Sequence, residues 1–170
     1  MAFGPKAISA LLAALDDATP TKAVHDFEHV MGAMWYGHEF HINPVNARER
    51  QARESRPSLV EPLHDLGGAE DHLTRYTVTR GDVCFVILGE IVNRSYEACR
   101  YQPTSCMVIN SPTADAQLAA AVREAWQSGD PACLLFDSLM ADLHTRDDQG
   151  YASADLQCGA AKRLLYYFPD

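Results

Sequence analysis

Two histidines and a glutamate form the sequence pattern with the clearest chemical meaning. The string is His25-Asp26-Phe27-Glu28-His29, which has the spacing HxxEH. On a helix, residues four apart share a face, so the two imidazoles could bind one metal ion. A glutamate next to them is placed to activate a metal-bound water. The pattern therefore predicts, as one hypothesis, a zinc-dependent hydrolase that uses His25, Glu28 and His29.

This string resembles the metal motif of inverted zinc metallopeptidases, and the resemblance covers five residues of the chain. It implies a further glutamate ligand downstream, for which Glu90 and Glu97 are available. The alternative is a solvated helix edge, because both histidines fall outside the apolar face of the helix predicted here. We expect no cofactor unless the zinc hypothesis holds.

Other catalytic signatures are missing from the sequence. It contains no GxSxG nucleophile elbow, no GxGxxG or P-loop glycine pattern and no CxxC pair. The five cysteines cannot all pair with one another, and we expect them to be reduced core residues in a cytosolic protein. Cys99 and Cys106 bracket a Tyr-Gln-Pro turn and form the one pair to test for a disulfide.

The charge pattern disfavours nucleic acid and favours a basic protein partner. The formal net charge is −9, whereas binding to phosphates requires clustered cations. From residue 112 to residue 155, eight carboxylates face only two arginines, Arg123 and Arg146. Leucine faces of the helices should turn these carboxylates outward, where they can attract a basic surface. The predicted binding residues are Asp115, Glu124, Asp130, Asp137, Asp142, Asp147 and Asp148, with Asp155 in the same stretch.

Hydrophobic periodicity predicts a mainly α fold in one compact domain over residues 1–170, with six to eight helices. One helix begins at Gly4-Pro5, and a second is expected from Thr19-Pro20 to about His41. Three more are predicted in the C-terminal third, after Ser111-Pro112, Asp130-Pro131 and Ser153.

Two segments leave alternatives open. Residues 82–94 are continuously apolar and fit a buried strand or a buried helix; their length and Asp82 as a cap favour the helix. A short strand or hairpin is expected near residues 100–110. The apolar run from Val83 to Gly89 is far shorter than the ~20 residues of a membrane helix, so we expect no membrane partner. The expected location is the cytoplasm, or the periplasm if an export signal has been removed from the chain.

Together these features favour a small acidic protein-binding domain over an enzyme. Bacterial immunity proteins, which inhibit a cognate toxin, resemble this chain in profile and not in sequence: small, acidic and without a catalytic motif. We therefore expect an inhibitor or immunity-type protein. The alternatives are the zinc-dependent hydrolase and a helical subunit of a homo- or hetero-oligomeric assembly, such as a homodimer formed through Tyr166, Tyr167 and Phe168.

Overall fold

A computed structural model of the protein describes residues 4–26, 34–37, 40, 73–103, 105–146 and 153–169. The described part begins with a short 3-10 helix at Gly4–Ala7. The elements that follow are α1 (Ile8–Ala13), β1 (Pro20–Asp26), β2 (Met34–Tyr36), β3 (Arg75–Thr79), α2 (Arg80–Val92), β4 (Cys99–Tyr101), β5 (Met107–Ile109), α3 (Ala116–Trp126), α4 (Pro131–His144) and α5 (Ala154–Tyr167).

The prediction of a mainly α fold is wrong. The described residues contain five α-helices and also five strands in two sheets, which makes this a mixed α/β fold. One sheet pairs β1 with β3 in antiparallel orientation. The other has the order β2-β5-β4, with β2 parallel and β4 antiparallel to β5. The hairpin of β4 and β5 occupies the region near residues 100–110.

The largest error lies at Pro20–Asp26, where the predicted second helix is the strand β1. Thr19 followed by proline fits a helix start, but proline is also tolerated at the first residue of a strand. The register of β1 against β3 shifts between Pro20 and Val24, and Val24 then lies opposite Thr77. Pairing with a distant strand has overridden the local helix signal.

The apolar segment at residues 82–94 is the helix α2, as its length indicated. Its cap is Thr79 and not Asp82: the Thr79 hydroxyl accepts from the Asp82 amide, and the Asp82 carboxylate accepts from the Thr79 amide. This reciprocal capping box satisfies two amides that a helix start leaves unpaired. The helix ends at Asn93, which adopts a left-handed conformation with φ of 61°.

The helices enclose the larger of two apolar clusters. Phe85 of α2 lies at its centre and stacks on Tyr96 at 4.7 Å between ring centroids. Leu118, Leu135 and Leu139 complete it from α3 and α4, each with no exposed surface. Burying a side chain of this size contributes roughly 1.5–3 kcal/mol, so this cluster carries much of the stability.

A smaller cluster lies on the strands and is formed by Met34, Tyr76, Met107 and Ile109. Gly81 marks the place where the β3–α2 corner approaches the end of α1. A Cβ atom there would overlap the Leu15 carbonyl oxygen and the Thr113 methyl group, so the close approach requires glycine. Within the described ranges, no helix has the length and apolar character to cross a bilayer.

Candidate protein-binding surface

The acidic residues predicted to bind a partner do not share one environment. Four carboxylates of the stretch are exposed: Glu124, Asp130, Asp137 and Asp155. Asp115 is half-buried and caps α3, where its carboxylate accepts from the Gln117 and Leu118 amides. Asp147 and Asp148 lie outside the described residues. Asp142 is fully buried, so the expectation that it turns outward is wrong.

The buried Asp142 carboxylate forms an ion pair with Arg94. Nη1 of Arg94 donates to Oδ2 of Asp142 at 2.7 Å, and the two side chains are 1% and 0% exposed. Nη2 of Arg94 donates to the Ser138 hydroxyl at 3.0 Å. The guanidinium also lies 5.9 Å from the centre of the Trp126 ring. Because buried charges need partners of this kind, Asp142 has a structural role and is withheld from any partner protein.

The same network continues through Asn93 into α5. Nδ2 of Asn93 donates to Oδ2 of Asp142 at 2.8 Å and to the Leu156 carbonyl at 3.0 Å. Its Oδ1 accepts from Nη1 of Arg163 at 2.9 Å. A Cβ atom at Gly159 would overlap that Oδ1, so glycine permits the approach. The network thus fixes the end of α2 against both α4 and α5.

Two exposed carboxylates flank Cys133 on the solvent side of α4. Asp130 caps the helix, and its Oδ2 accepts from the Cys133 amide at 3.2 Å. Hydrogen bonding to Asp130 and then the charge of Asp130 raise the pKa of the Cys133 thiol, followed by desolvation and, with the smallest effect, the charge of Asp137. The hydrogen bonds that Asp130 accepts from Cys133 lower the pKa of the Asp130 carboxyl group. Asp130 and Asp137 therefore both contribute negative charge close to the exposed Cys133 thiol.

An aromatic ring lies between these charges along the helix. Phe136 is 41% exposed, and its ring contacts the Phe168 ring edge to face at 5.2 Å between centroids. The sequence of α4 itself contains no lysine or arginine. We name the set Asp130, Cys133, Phe136 and Asp137 the α4 outer face.

A shallow depression adjoins the amino end of α4. Its cavity volume is about 200 Å³, and its lining includes Trp126, Gly129 and Pro131 together with Arg123. Sites for small molecules usually enclose roughly 300–1,000 Å³, so this depression is small for such a ligand. Nη2 of Arg123 donates to Oδ2 of Asp16, in the α1–β1 connection, at 2.5 Å.

The two described residues of the HxxEH string do not lie on a helix. His25 and Asp26 belong to the strand β1, and His25 lies opposite Tyr76 of β3. Phe27, Glu28 and His29 lie outside the described residues. His25 lies in a strand, so the argument for a metal pair on one face of a helix does not apply to it. Across the described ranges, no three metal-binding side chains form a group.

Sequence reasoning missed a buried cluster around Asp82. The Tyr76 hydroxyl donates to Oδ2 of Asp82 at 2.6 Å, and Asp82 is fully buried. Burial first, and then this hydrogen bond, raise the pKa of Tyr76 far above its usual range, so the phenol stays protonated as a donor. Oδ1 of Asp82 has no hydrogen-bond partner within the described part of the chain. The Thr79-x-x-Asp82 spacing of a capping box is the signal that could have located this carboxylate.

The five cysteines are free thiols, and Cys99 and Cys106 do not form a disulfide. The expectation that all five are core residues is wrong, because Cys133 and Cys158 are exposed and the other three are half-buried. In the hairpin register, Cys99 lies opposite Ile109, whereas the Cys106 carbonyl accepts from the Gln102 amide. The two cysteines thus lie at different levels of the ladder. Burial, and then the charge of Asp82, raise the pKa of Cys99 to about 12, which keeps this thiol unreactive.

The C-terminal aromatic residues face in two directions. Tyr167 and Phe168 pack against the larger apolar cluster, whereas Tyr166 is 59% exposed. Of the three rings in the predicted dimer contact, Tyr166 is exposed, whereas Tyr167 and Phe168 are partly buried.

Comparisons with known proteins identify no relative of this chain. No family model matches it, and neither does any curated protein or solved structure.

Proposed function

We propose that this protein is a binding domain that docks on a basic protein partner through the α4 outer face. The observation that carries the proposal is the arrangement of Asp130 and Asp137 around an exposed thiol and a half-exposed phenylalanine. The net charge of −9 extends the attraction beyond the contact itself. Complementary charge of this kind accelerates the encounter of two proteins and disfavours acidic competitors.

The aromatic residue supports a specific contact in addition to general attraction. Interface residues that dominate binding energy are often aromatic and lie near the centre of the contact, with polar residues around them. Phe136 meets this description, because Phe168 restricts its ring while 41% of the residue remains exposed. A ring that is ordered before binding loses less entropy on association.

An inhibitor or immunity-type role is the specific form of this proposal. Blocking another protein requires a rigid surface and no chemistry of its own. The buried pair of Arg94 and Asp142 supports such rigidity, because it anchors the inner side of α4 to the end of α2. This inhibitory role is tested by adding the protein to the purified partner. Inhibition should be stoichiometric, and substitutions in the α4 outer face should abolish it.

We further infer a reducing compartment such as the cytosol. The five free cysteines support it, since disulfides form and persist in oxidising compartments. Thiol titration of denatured protein prepared without reductant should detect all five thiols; fewer would argue for an oxidising compartment.

The test of the binding proposal compares three immobilised proteins. One is the wild type, and one carries Asp130→Asn and Asp137→Asn, which keep a capping side chain at residue 130. The matched control carries Glu124→Gln and Asp155→Asn, which remove the same charge from other exposed positions. We expect a basic protein that wild type and control both retain and the α4 variant loses.

Salt provides the second readout of the same experiment. Raising it from about 50 mM to about 500 mM should lower the association rate by roughly tenfold or more, because screening removes electrostatic attraction. Equal recovery by all three proteins, or association that salt does not change, would contradict the proposal.

A further inference from the structure

The helix α2 exposes an apolar stripe. Val83, Val86 and Ile87 recur at helical spacing and are 40%, 39% and 42% exposed. The opposite side of the same helix is buried in the larger apolar cluster. Arg80 and Glu90 lie at the two ends of the stripe, with side chains 65% and 64% exposed. We name these five residues the α2 outer face.

We propose that the α2 outer face binds a second copy of this chain, with the two α2 helices antiparallel. A two-fold axis at Phe85 exchanges position 83 with 87 and position 80 with 90. Val83 of each copy then meets Ile87 of the other, and Arg80 meets Glu90 at both ends. The stripe is therefore complementary to itself, as a two-fold contact requires.

Charge selects this arrangement over the alternatives. A parallel pairing would place Arg80 against Arg80 and Glu90 against Glu90, which is repulsive. An antiparallel pairing shifted so that the axis lies between Val86 and Ile87 would place Glu90 against Val83, where the carboxylate would lose water without gaining a partner.

The existing partners of these charges fit the same pairing. Arg80 lies 3.9 Å from Asp17, and Glu90 lies 3.5 Å from Arg163, both at the long end of ion-pair distances. Antiparallel contact would bring an Asp17–Arg80 pair of one copy against a Glu90–Arg163 pair of the other. Each end of the contact then holds two cations and two anions. Because opposite charges can lie next to one another there, the four side chains can form one ion-pair network.

The size of the stripe predicts a weak dimer. Stable interfaces bury about 800 Å² on each partner, and three half-exposed aliphatic side chains provide only a fraction of this area. The contact uses a helix different from the one that carries the proposed binding function. A second copy and a basic partner therefore occupy different helices.

The experiment is sedimentation velocity from about 10 µM to about 1 mM protein, the range in which a weak contact associates, at ~0.15 M salt. We expect the weight-average mass of the wild type to rise towards the dimer, and Ile87→Asp to remain monomeric throughout. Val24→Asp is the matched control, because Val24 is also 42% exposed but lies on β1. It should associate like the wild type.

A charge exchange tests the orientation of the helices. Arg80→Glu and Glu90→Arg should each weaken self-association at least tenfold, because each creates like charges at both ends. An equimolar mixture of the two variants should associate again, since each end then pairs a glutamate with an arginine. Circular dichroism spectra of the variants, compared with that of the wild type, serve as the control for folding.

The contradicting outcomes are equally specific. A wild type that stays monomeric at the highest concentration would overturn the proposal, as would an Ile87→Asp variant that associates normally. If Tyr166→Asp abolishes association while Ile87→Asp does not, the contact lies at the C-terminal aromatic residues instead. If the mixed variants remain monomeric, the antiparallel register is wrong.

Discussion

The two sides of α4 carry the same acidic residue type in opposite environments. On the inner side, Asp142 follows Leu135 and Leu139 and has no exposed surface. On the outer side, Asp130 and Asp137 are exposed and act together on the Cys133 thiol. Asp137 and Asp142 are five residues apart, which rotates them by roughly 140° around the helix.

Under the proposed binding function, this difference separates stability from recognition within one helix. The inner carboxylate has lost its water and depends on Arg94 and Asn93 for its hydrogen bonds. The outer carboxylates are exposed, so apart from the capping hydrogen bond of Asp130 they contribute little to folding, and both are accessible to a partner. A count of acidic residues in the sequence treats all three alike.

The largest expected effect is the loss of stability on replacing the inner carboxylate. Asp142→Asn leaves the Arg94 guanidinium buried without its counter-charge, which should cost about 3–5 kcal/mol of unfolding free energy. Asp137→Asn, on the outer side, should change it by less than about 0.5 kcal/mol. Urea denaturation followed by circular dichroism measures both values. Equal effects of the two substitutions would contradict the division between the two sides of α4.

Replacing both members of the buried pair should cost less than replacing one. Arg94→Met together with Asp142→Leu removes both charges and fills the space with apolar atoms. Because no charge is left without a partner, the double variant should recover about 1–3 kcal/mol relative to Asp142→Asn. The same denaturation experiment, extended to both single variants, provides the comparison. A double variant with a lower unfolding free energy than each single variant would contradict this prediction. It would show that the ion pair stabilises the fold by more than the cost of burying an unpaired charge.

An intermediate loss of stability is expected on replacing Gly159, the glycine that allows the Asn93 side chain to approach α5 closely. Gly159→Ala introduces a Cβ atom that overlaps Oδ1 of Asn93. Alanine gains helix propensity at this position, yet overpacking should dominate and lower the unfolding free energy by about 1–3 kcal/mol. Ala161→Gly serves as a reference for the propensity alone, because it reverses the sequence change two residues away on α5. Stabilisation by Gly159→Ala would contradict the close contact.

The smallest expected effect is on the chemistry of the outer thiol. The pKa of Cys133 is raised by Asp130 and Asp137, so less of the reactive thiolate is present at a given pH. Alkylation should accelerate as pH rises through this pKa. Asp130→Asn should lower the pKa and increase the rate at pH 8, because Asp130 is the largest cause of the raised pKa, and added salt should act in the same direction on the wild type. Peptide mass spectrometry resolves Cys133 from Cys158, the other exposed cysteine.

The parts of the fold that the sequence predicts are those with local signals. Asp130-Pro131 caps α4 as predicted, and the length of the apolar run at residues 82–94 indicates a helix. The β1 strand is different, because its stability depends on pairing with β3, which lies about 50 residues later in the chain. Local spacing at Thr19-Pro20 could not reveal that partner.

The predicted binding residues follow the same rule. Asp130 and Asp137 are exposed as expected, because they fall off the leucine face of α4. Asp142 lies seven residues after Leu135 and three after Leu139, so its helical phase already places it on the buried face. What the sequence could not supply was its partner, since Arg94 precedes it by 48 residues.

The most direct test of the binding account is the association rate of the purified basic partner, measured against salt concentration. The wild type and the Glu124→Gln/Asp155→Asn control should show steep, similar decreases with increasing salt. The Asp130→Asn/Asp137→Asn variant should associate more slowly at low salt and depend on salt less steeply. If the α4 variant has the same salt dependence as the control, the α4 outer face is not where the partner docks.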